Sequence, residues 1–203
     1  LNQMNIIIKK LNITEYNEAF ELVKNVFNKY EAPEYSQEGT NEFYNSLCNP
    51  EYVNSLDIYG AFYDDKIIGV IATKNCGSHI ALFFVDEKHH KKGIGRKLFN
   101  MVVSLCNSDS ITVNSSPYAH NVYHKLGFAD TDKEQVVNGI RFIPMVYDIN
   151  KKYSLYQAEN CPCRRKSCIR HGNCNECIAK HRKLNKPTQC ERKNQSSKIS
   201  EQK

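Results

Sequence analysis

The stretch Val85-Asp-Glu-Lys-His-His-Lys-Lys-Gly-Ile-Gly-Arg-Lys-Leu98 is the most informative part of this sequence. It starts where an almost wholly apolar segment, His79–Val85, ends, and that segment predicts a central strand buried on both faces. Residues 93–107 carry apolar side chains at helical spacing, so the turn leads into a helix. Unpaired N–H groups and a positive dipole lie at a helix N-terminus, and glycine lets that backbone close on a phosphate. The turn therefore predicts a pyrophosphate-binding site.

The glycines of this turn differ from those of two other phosphate-binding loops. Only two glycines of the dinucleotide fingerprint are present, and the Gly-Lys-Ser/Thr of the nucleotide-triphosphate loop is missing. A tight strand-to-helix turn with incidental lysines is the alternative interpretation. If the turn binds phosphate, the residues expected to hold it are His90, Lys91, Lys92, Gly93, Ile94, Gly95, Arg96 and Lys97.

Three further helices are predicted from apolar residues at three- and four-residue spacing. The first spans residues 16–30 and is expected to begin with Thr14 as its N-cap. The second covers about residues 40–47. The third covers residues 118–126 and ends at Gly127, a usual C-cap residue.

Strands with two-residue turns complete the predicted domain. Asp64-Asp65 and Asn138-Gly139 are typical of tight hairpin turns. Pro144 in the last strand predicts an edge or a bulge. The expected fold class is α/β, with a mixed, mostly antiparallel central sheet flanked by helices in the order β-α-α-β-β-β-α-β-α-β-β.

Two motifs in this order resemble those of the GNAT family of N-acetyltransferases. His90-Lys-Lys-Gly-Ile-Gly95 resembles the family's Gln/Arg-x-x-Gly-x-Gly/Ala, with His90 departing at the first position. Ala119-His-Asn-Val-Tyr-His-Lys-Leu-Gly-Phe128 resembles its Ala-x-x-x-Tyr-x-Lys-x-Gly-Phe segment. The resemblance covers about residues 4–149.

This resemblance implies that an amine attacks the thioester of acetyl-CoA directly. A bulge in the strand before the turn would free backbone groups, so Phe83 and Val85 would hold the pantetheine arm. Ser116 stands where many members carry Asn. Tyr123 matches the family's general acid, and His79 falls where some members place a glutamate base.

Other roles for these residues stay open at the sequence level. Tyr123 could be a packed aromatic residue, and His79 an ordinary histidine at a strand end. A water chain fed by Asp86 or Glu87 could replace the base, whereas His124 is expected to lie outside the site.

Charge divides the chain into two parts. Residues 1–150 hold 14 Lys/Arg and 18 Asp/Glu, and residues 151–203 hold 14 and 4. We expect an acetyltransferase domain over 1–150, a linker over 151–160, a Cys/His-rich segment over 161–190 and a disordered end over 191–203. Six of the nine cysteines lie in the basic part. Clustered cysteines without a secretory signal favour a metal over disulfides.

The ligand types in the tail predict a zinc site, with an iron–sulfur cluster, a redox thiol cluster or an unstructured tail as alternatives. Their spacing does not select four ligands from the seven candidates. These are Cys161, Cys163, Cys168, His171, Cys174, Cys177 and His181.

The expected partner is a primary amine of unknown identity, and four glutamates could attract it. The alternative function is a catalytically weak acyl-CoA-binding module whose basic tail binds nucleic acid or a protein. A homodimer is a further option, and no apolar run reaches the roughly 20 residues that span a bilayer, so a cytoplasmic protein is expected. The four acidic residues are Glu31, Glu34, Glu38 and Glu42.

Overall fold

The computed structural model describes residues 5–150 and, in the tail, Cys177, Lys180, His181, Leu184 and residues 186–189. The chain divides into two compact units, Leu1–Tyr147 and Asp148–Lys203. The fold described below is that of the first unit. The predicted linker and C-terminal end lie outside the described residues.

A mixed β-sheet forms the frame of this unit, as the sequence predicted. Its order is β1-β2-β3-β4-β5-β8-β6, and β7 pairs with β8. The pairs from β1 to β4 are antiparallel, whereas β4 and β5 are parallel. The strands are β1 (Ile7–Lys10), β2 (Asp57–Tyr63), β3 (Lys66–Lys74), β4 (His79–Val85), β5 (Ser110–Ser115), β6 (Ala129–Asp130), β7 (Gln135–Val137) and β8 (Ile140–Asp148). The two-residue strand β6 was not predicted, because so short a segment has no periodicity.

Five α-helices accompany the sheet among the described residues of this unit, one more than predicted. The extra helix, α3, begins with Pro50 and is capped by Asn49, whose Oδ1 accepts from the Glu51 amide at 2.9 Å. Its single turn is too short to show an apolar period. The helices are α1 (Tyr16–Tyr30), α2 (Gln37–Cys48), α3 (Pro50–Asn54), α4 (Ile94–Leu105) and α5 (His120–Leu126).

The expected N-cap of the first helix was wrong. Asn12 caps a 3₁₀ turn over Ile13–Glu15, and α1 follows that turn directly. The Asn12 Oδ1 accepts from the Thr14 amide at 3.1 Å, so Thr14 lies inside the turn. The apolar spacing located α1 but did not predict the additional turn before it.

The predicted tight turns are confirmed by their backbone angles. Asp64 and Asp65 have φ of 48° and 60°, and Asn138 and Gly139 have φ of 49° and 75°. These left-handed values match the twist of the flanking strands. Pro144 is in neither the register that pairs β8 with β6 nor the one that pairs it with β7. It stands between the part of β8 that pairs with β7 and the part that pairs with β6, where no ladder bond from its nitrogen is needed.

The expectation that β4 is buried on both faces was wrong. Ile80, Leu82 and Phe84 are buried, whereas the alternate residues from His79 to Val85 are partly exposed. These partly exposed residues border either a cleft, described below, or the first turn of α4. An apolar strand sequence does not distinguish a face packed by protein from one that borders a cleft.

The core between α1, α2 and the sheet fixes the end of α1. Ala19, Val23 and Phe27 of α1 are fully buried with strand residues in one apolar cluster. The rings of Phe27 and Phe43 stack at 3.8 Å and join α1 to α2. Packing of this density tolerates little movement, so the residue after α1, Glu31, has a defined position.

A close backbone contact joins α2 to the turn between β7 and β8. A Cβ added at Gly39 would lie far inside van der Waals contact with the Gly139 carbonyl, and 2.9 Å from the Ile140 nitrogen. Gly139 is itself in the left-handed region at φ 75°. The two glycines therefore allow α2 to lie directly against the turn that leads into β8.

Gly39→Ala is expected to lower the free energy of unfolding by about 1–3 kcal/mol, because the backbone must move to admit the methyl group. Urea denaturation measures this change. Gly95→Ala is the matched control: its Cβ would make an ordinary 3.4 Å contact with Phe83, so we expect unchanged or slightly higher stability. Equal stability of Gly39→Ala and wild type would show that the contact is not tight.

Candidate active site

Strand β4 carries a bulge at the centre of the sheet. Ala72 pairs with Leu82 and Thr73 pairs with Ile80, so Ala81 is an extra residue opposite β3. On the other side, β4 pairs with β5 only at His79 and Ile80 among the described residues. The two strands therefore separate after Ile80, and the second half of β4 has backbone groups available to a ligand.

A cleft of 570 Å³ opens where β4 and β5 separate. It is bordered by the end of α1, by α2, by the start of α5 and by Ile140 of β8. The volume lies within the range of small-molecule sites. Its ionisable and hydroxyl-bearing side chains are Glu31, Tyr35, Glu42, Ser46, Tyr52, Lys74, His79, Ser116 and Tyr123.

Glu31 is the lining residue with the most unusual acidity. Burial raises the pKa of its carboxyl to about 7, against an ordinary value of 4.5. A side-chain hydrogen bond with Ser116 lowers the pKa, and the nearby charge of Glu34 raises it. A carboxyl that titrates at neutral pH can accept a proton from an amine and release it again. From the sequence, Glu31 was predicted only as one of four acidic residues that could attract an amine.

Tyr123 lines the same cleft and is almost fully buried. Its ring packs against Phe83 at 6.0 Å and Phe128 at 5.2 Å. Burial raises the pKa of the phenol far above its ordinary value of 10, and negative charge on Glu31 and Tyr35 adds to the effect. The hydroxyl therefore keeps its proton at every physiological pH and has a hydrogen to donate.

His79 lies at the start of β4, also on the cleft. Its Nδ1 is 2.9 Å from the Oγ1 of Thr112. Burial lowers the pKa of the imidazole below 6.5, and the charge of Lys74 lowers it further. His79 is therefore mainly neutral at pH 7 and a weaker base than an unperturbed histidine.

The glycine turn begins where β4 ends. Gly93 is the N-cap of α4, with φ 80°, and a Cβ at this position would meet nothing within 4 Å. The Cβ of Gly95 would face Phe83 and Val85 at 3.4 and 3.8 Å. Ile94 is buried to 1% exposure, so only its backbone can contribute to a site. Open space before an unblocked helix N-terminus fits a pyrophosphate.

The other residues predicted to hold phosphate at this turn differ in their contacts and exposure. The Nε2 of His90 lies 2.7 Å from the Val85 carbonyl oxygen, so this ring closes the turn. Arg96 donates to the Lys125 carbonyl at 3.0 Å and connects α4 to α5. Lys91 and Lys92 are exposed, and Lys97 is an exposed residue of α4.

Ser116 lies on the cleft and not at the glycine turn. It is buried, and its Oγ accepts from the Ala119 amide at 3.2 Å. Through its hydrogen bond with Glu31, it connects the segment after β5 to the end of α1.

The carboxylates considered for a water chain have other partners. Glu87 forms an ion pair with Lys29 and accepts from the Tyr30 hydroxyl at 3.0 Å, and these contacts lower its pKa. The Asp86 Oδ1 accepts from the Lys88 amide at 2.7 Å. Neither is among the described residues that line the cleft.

Two of the four acidic residues proposed to attract an amine line the cleft, namely Glu31 and Glu42. Glu34 and Glu38 do not border it among the described residues, and the Glu34 carbonyl accepts from Arg141 at 3.2 Å. Carboxylates on the cleft would favour a cationic group there.

Only two of the seven predicted metal ligands in the tail are described. The Cys177 Sγ and His181 Nδ1 lie 3.7 Å apart, and Nδ1 is 2.8 Å from the Cys177 carbonyl oxygen. Cys161, Cys163, Cys168, His171 and Cys174 lie outside the described residues. A tail metal site stays a prediction.

No helix in the described part of the chain is long and apolar enough to cross a membrane.

Comparisons with known proteins agree with this geometry. A family model described as an acetyltransferase (GNAT) domain matches residues 31–149, more than half of the chain. The chain therefore belongs to the GNAT family of acetyltransferases, as its two motifs indicated. The comparison with curated proteins gave no match.

Solved GNAT structures share the fold at low sequence identity. A GCN5-related N-acetyltransferase from Rhodopseudomonas palustris has a TM-score of 0.63 and 14% identity, over 73% of this chain and 98% of its own. PaiA N-acetyltransferase from Thermoplasma acidophilum, solved with coenzyme A, has a TM-score of 0.54 and 20% identity, over 71% and 99%. FeeM, an N-acyl amino acid synthase from uncultured soil microbes, has 0.57 and 17%, over 74% and 94%.

Proposed function

We propose that this protein transfers the acetyl group of acetyl-CoA to a primary amine by direct attack. The observation that carries the proposal is the course of β4. After the bulge at Ala81, its backbone separates from β5 beside the cleft and leads directly into the glycine turn. One strand thus connects a site for a thioester arm to a site for its pyrophosphate.

The residues present fit acetyl-CoA. Backbone groups of Phe83 and Val85 would bind the pantetheine arm, and the backbone around Gly93 and Gly95 would bind the pyrophosphate, with charge from Lys91 and Lys92. Bound acetyl-CoA supplies a thioester carbonyl for the amine to attack and a thiol as leaving group. A backbone N–H of β4 would donate to the carbonyl oxygen, where negative charge develops.

Glu31 is the residue that we propose as general base. An amine arrives mainly as ammonium and must lose a proton before it can attack, and a carboxyl with a pKa of about 7 is well matched to that transfer. His79 is the second candidate, from the sequence, and its lowered pKa makes it the weaker base. Glu31 and Glu42 also favour a cationic substrate in the cleft.

Tyr123 is proposed to donate a hydrogen bond or proton to the departing thiolate. Tyr123→Phe removes the hydroxyl and keeps the ring packing, so we expect kcat to fall about 100-fold while the affinity for acetyl-CoA stays within about twofold. Release of free thiol from acetyl-CoA, measured across a panel of primary amines, tests both the activity and this effect.

Tyr118→Phe is the matched control for this experiment. Tyr118 is exposed, stacks on Tyr30 at 4.9 Å and is not among the described residues of the cleft, so its variant should retain wild-type kcat. Unchanged turnover in Tyr123→Phe would remove its hydroxyl from the mechanism. The absence of thiol release with every amine would contradict the proposed function.

A further inference from the structure

Three metal-ligating side chains converge on the outer side of α5. His120 and His124 are one helical turn apart, and Asp130 follows on β6. The Asp130 Oδ1 is 2.8 Å from the His120 Nε2 and 3.1 Å from the His124 Nε2. The two Nε2 atoms are 3.0 Å apart. Three donor atoms thus form a nearly equilateral triangle.

Hydrogen bonds cannot satisfy all three sides of this triangle. A ring nitrogen either carries a proton and donates or presents a lone pair and accepts. If His120 and His124 both donate to Asp130, two N–H groups face each other. If one histidine donates to the other, the accepting nitrogen directs a lone pair at the carboxylate. A cation bound to three lone pairs satisfies all three atoms together.

We propose that His120, His124 and Asp130 bind a divalent transition-metal ion of the Zn²⁺ type. A point about 2.1 Å from all three atoms, the usual zinc–ligand distance, lies about 1.2 Å above the plane of the triangle. Two imidazoles and one carboxylate suit zinc and its neighbours, whereas Mg²⁺ and Ca²⁺ prefer oxygen ligands. The side chains are 26%, 42% and 41% exposed, so water can reach the ion and complete its coordination.

The backbone already holds the ligands in place. Gly127 ends α5 with φ 108°, and Asp130 pairs with Met145 of β8. The ion would therefore link α5, through its first and fifth residues, to the sheet. Tyr123 lies buried on the same helix between the two histidines, so the ion would stabilise the helix that carries this residue. None of its three ligands is a residue of the tail.

Zinc titration of the metal-free full chain, in competition with a chromophoric chelator, tests the proposal. We expect wild type to bind one equivalent more than His124→Ala and Asp130→Asn. Lys125→Gln is the matched control, because it changes an exposed residue of the same helix and removes no ligand. It should bind as many equivalents as wild type. Circular dichroism of the metal-free variants verifies that each one is folded. If His124→Ala does not fold, Asp130→Asn still tests the site, because asparagine has nearly the same shape as aspartate.

Cobalt spectra distinguish this site from any thiolate site in the tail. Thiolate ligands give intense charge-transfer absorption with Co²⁺, and an imidazole–carboxylate site does not. The equivalent lost in His124→Ala and Asp130→Asn should therefore lack that absorption. Equal stoichiometry in wild type and both ligand variants would overturn the proposal. The proposal would also be overturned if the equivalent of Co²⁺ lost in these variants showed the thiolate absorption.

Discussion

Glu31→Gln is expected to lower kcat/KM about 10²- to 10⁴-fold, because the amide cannot accept the proton of the attacking ammonium. In wild type, kcat/KM should rise with pH until the carboxyl is ionised, with a bend near its pKa of about 7. That bend should be absent in Glu31→Gln. Steady-state rates between about pH 5 and pH 9, roughly two units on either side of that pKa, measure both effects.

The stability of the wild-type protein should fall over the pH range in which its kcat/KM rises. Folding raises the pKa of Glu31, so the protonated carboxyl contributes stability at low pH. That contribution is lost as the pH rises from 4.5 through about 7. Glutamine avoids the burial of this charge, and we expect Glu31→Gln to be about 1–3 kcal/mol more stable than wild type at pH 8. A variant that is more stable and less active has not lost activity by unfolding.

Two further variants test whether the expected loss of activity is specific to Glu31. Glu38→Gln changes an acidic residue of α2 that is not among the described residues of the cleft, and should keep wild-type rates. His79→Gln tests the base suggested by the sequence. Wild-type activity in Glu31→Gln, with loss in His79→Gln, would transfer the role of base to His79.

Gly95→Glu is expected to weaken acetyl-CoA binding by about 100-fold or more. Position 95 is in the first turn of α4, and its side chain would extend towards Phe83 and Val85. A carboxylate there would occupy the positive end of the helix and repel the pyrophosphate. Stabilisation against heat by added acetyl-CoA measures the change, since a ligand that binds the folded protein raises its stability with the logarithm of the ratio of ligand concentration to dissociation constant.

Gly95→Ala is the control for this experiment. Its methyl group makes only an ordinary contact with Phe83, so binding should stay within about fivefold of wild type. Gly93 is a less suitable position for this substitution. Its φ of 80° strains any other residue, so a variant there would change folding as well as binding. If Gly95→Glu retained wild-type binding, the cofactor would not occupy the α4 N-terminus.

Local chemistry explains which parts of the fold could be predicted from sequence. The Asn138-Gly139 turn and the strand, turn and helix around Gly93 depend on neighbouring residues, and each was found. The helix α3 was missed because its capping residue and proline precede a single turn. The burial of β4 was misjudged because apolar residues also line the cleft.

The two residues proposed as catalytic differ in the same way. Tyr123 follows from a motif within ten residues, and the structure places it in the cleft. Glu31 belongs to no motif. Burial in the fold raises its pKa, and its hydrogen-bond partner Ser116, which opposes that shift, lies 85 positions further along the chain. Only the folded chain brings these two residues together, so no local pattern could distinguish Glu31 from Glu34 or Glu38.

Calorimetric titration of the folded full-length chain with acetyl-CoA tests the central claim most directly. We predict saturable binding of one acetyl-CoA per chain, with a dissociation constant on the order of micromolar. Such binding would place the protein among the acyl-CoA-dependent members of its family and make the amine screen worthwhile. No binding by a protein that circular dichroism shows to be folded would contradict the account, because β4 and the Gly93 turn would then have no cofactor to hold.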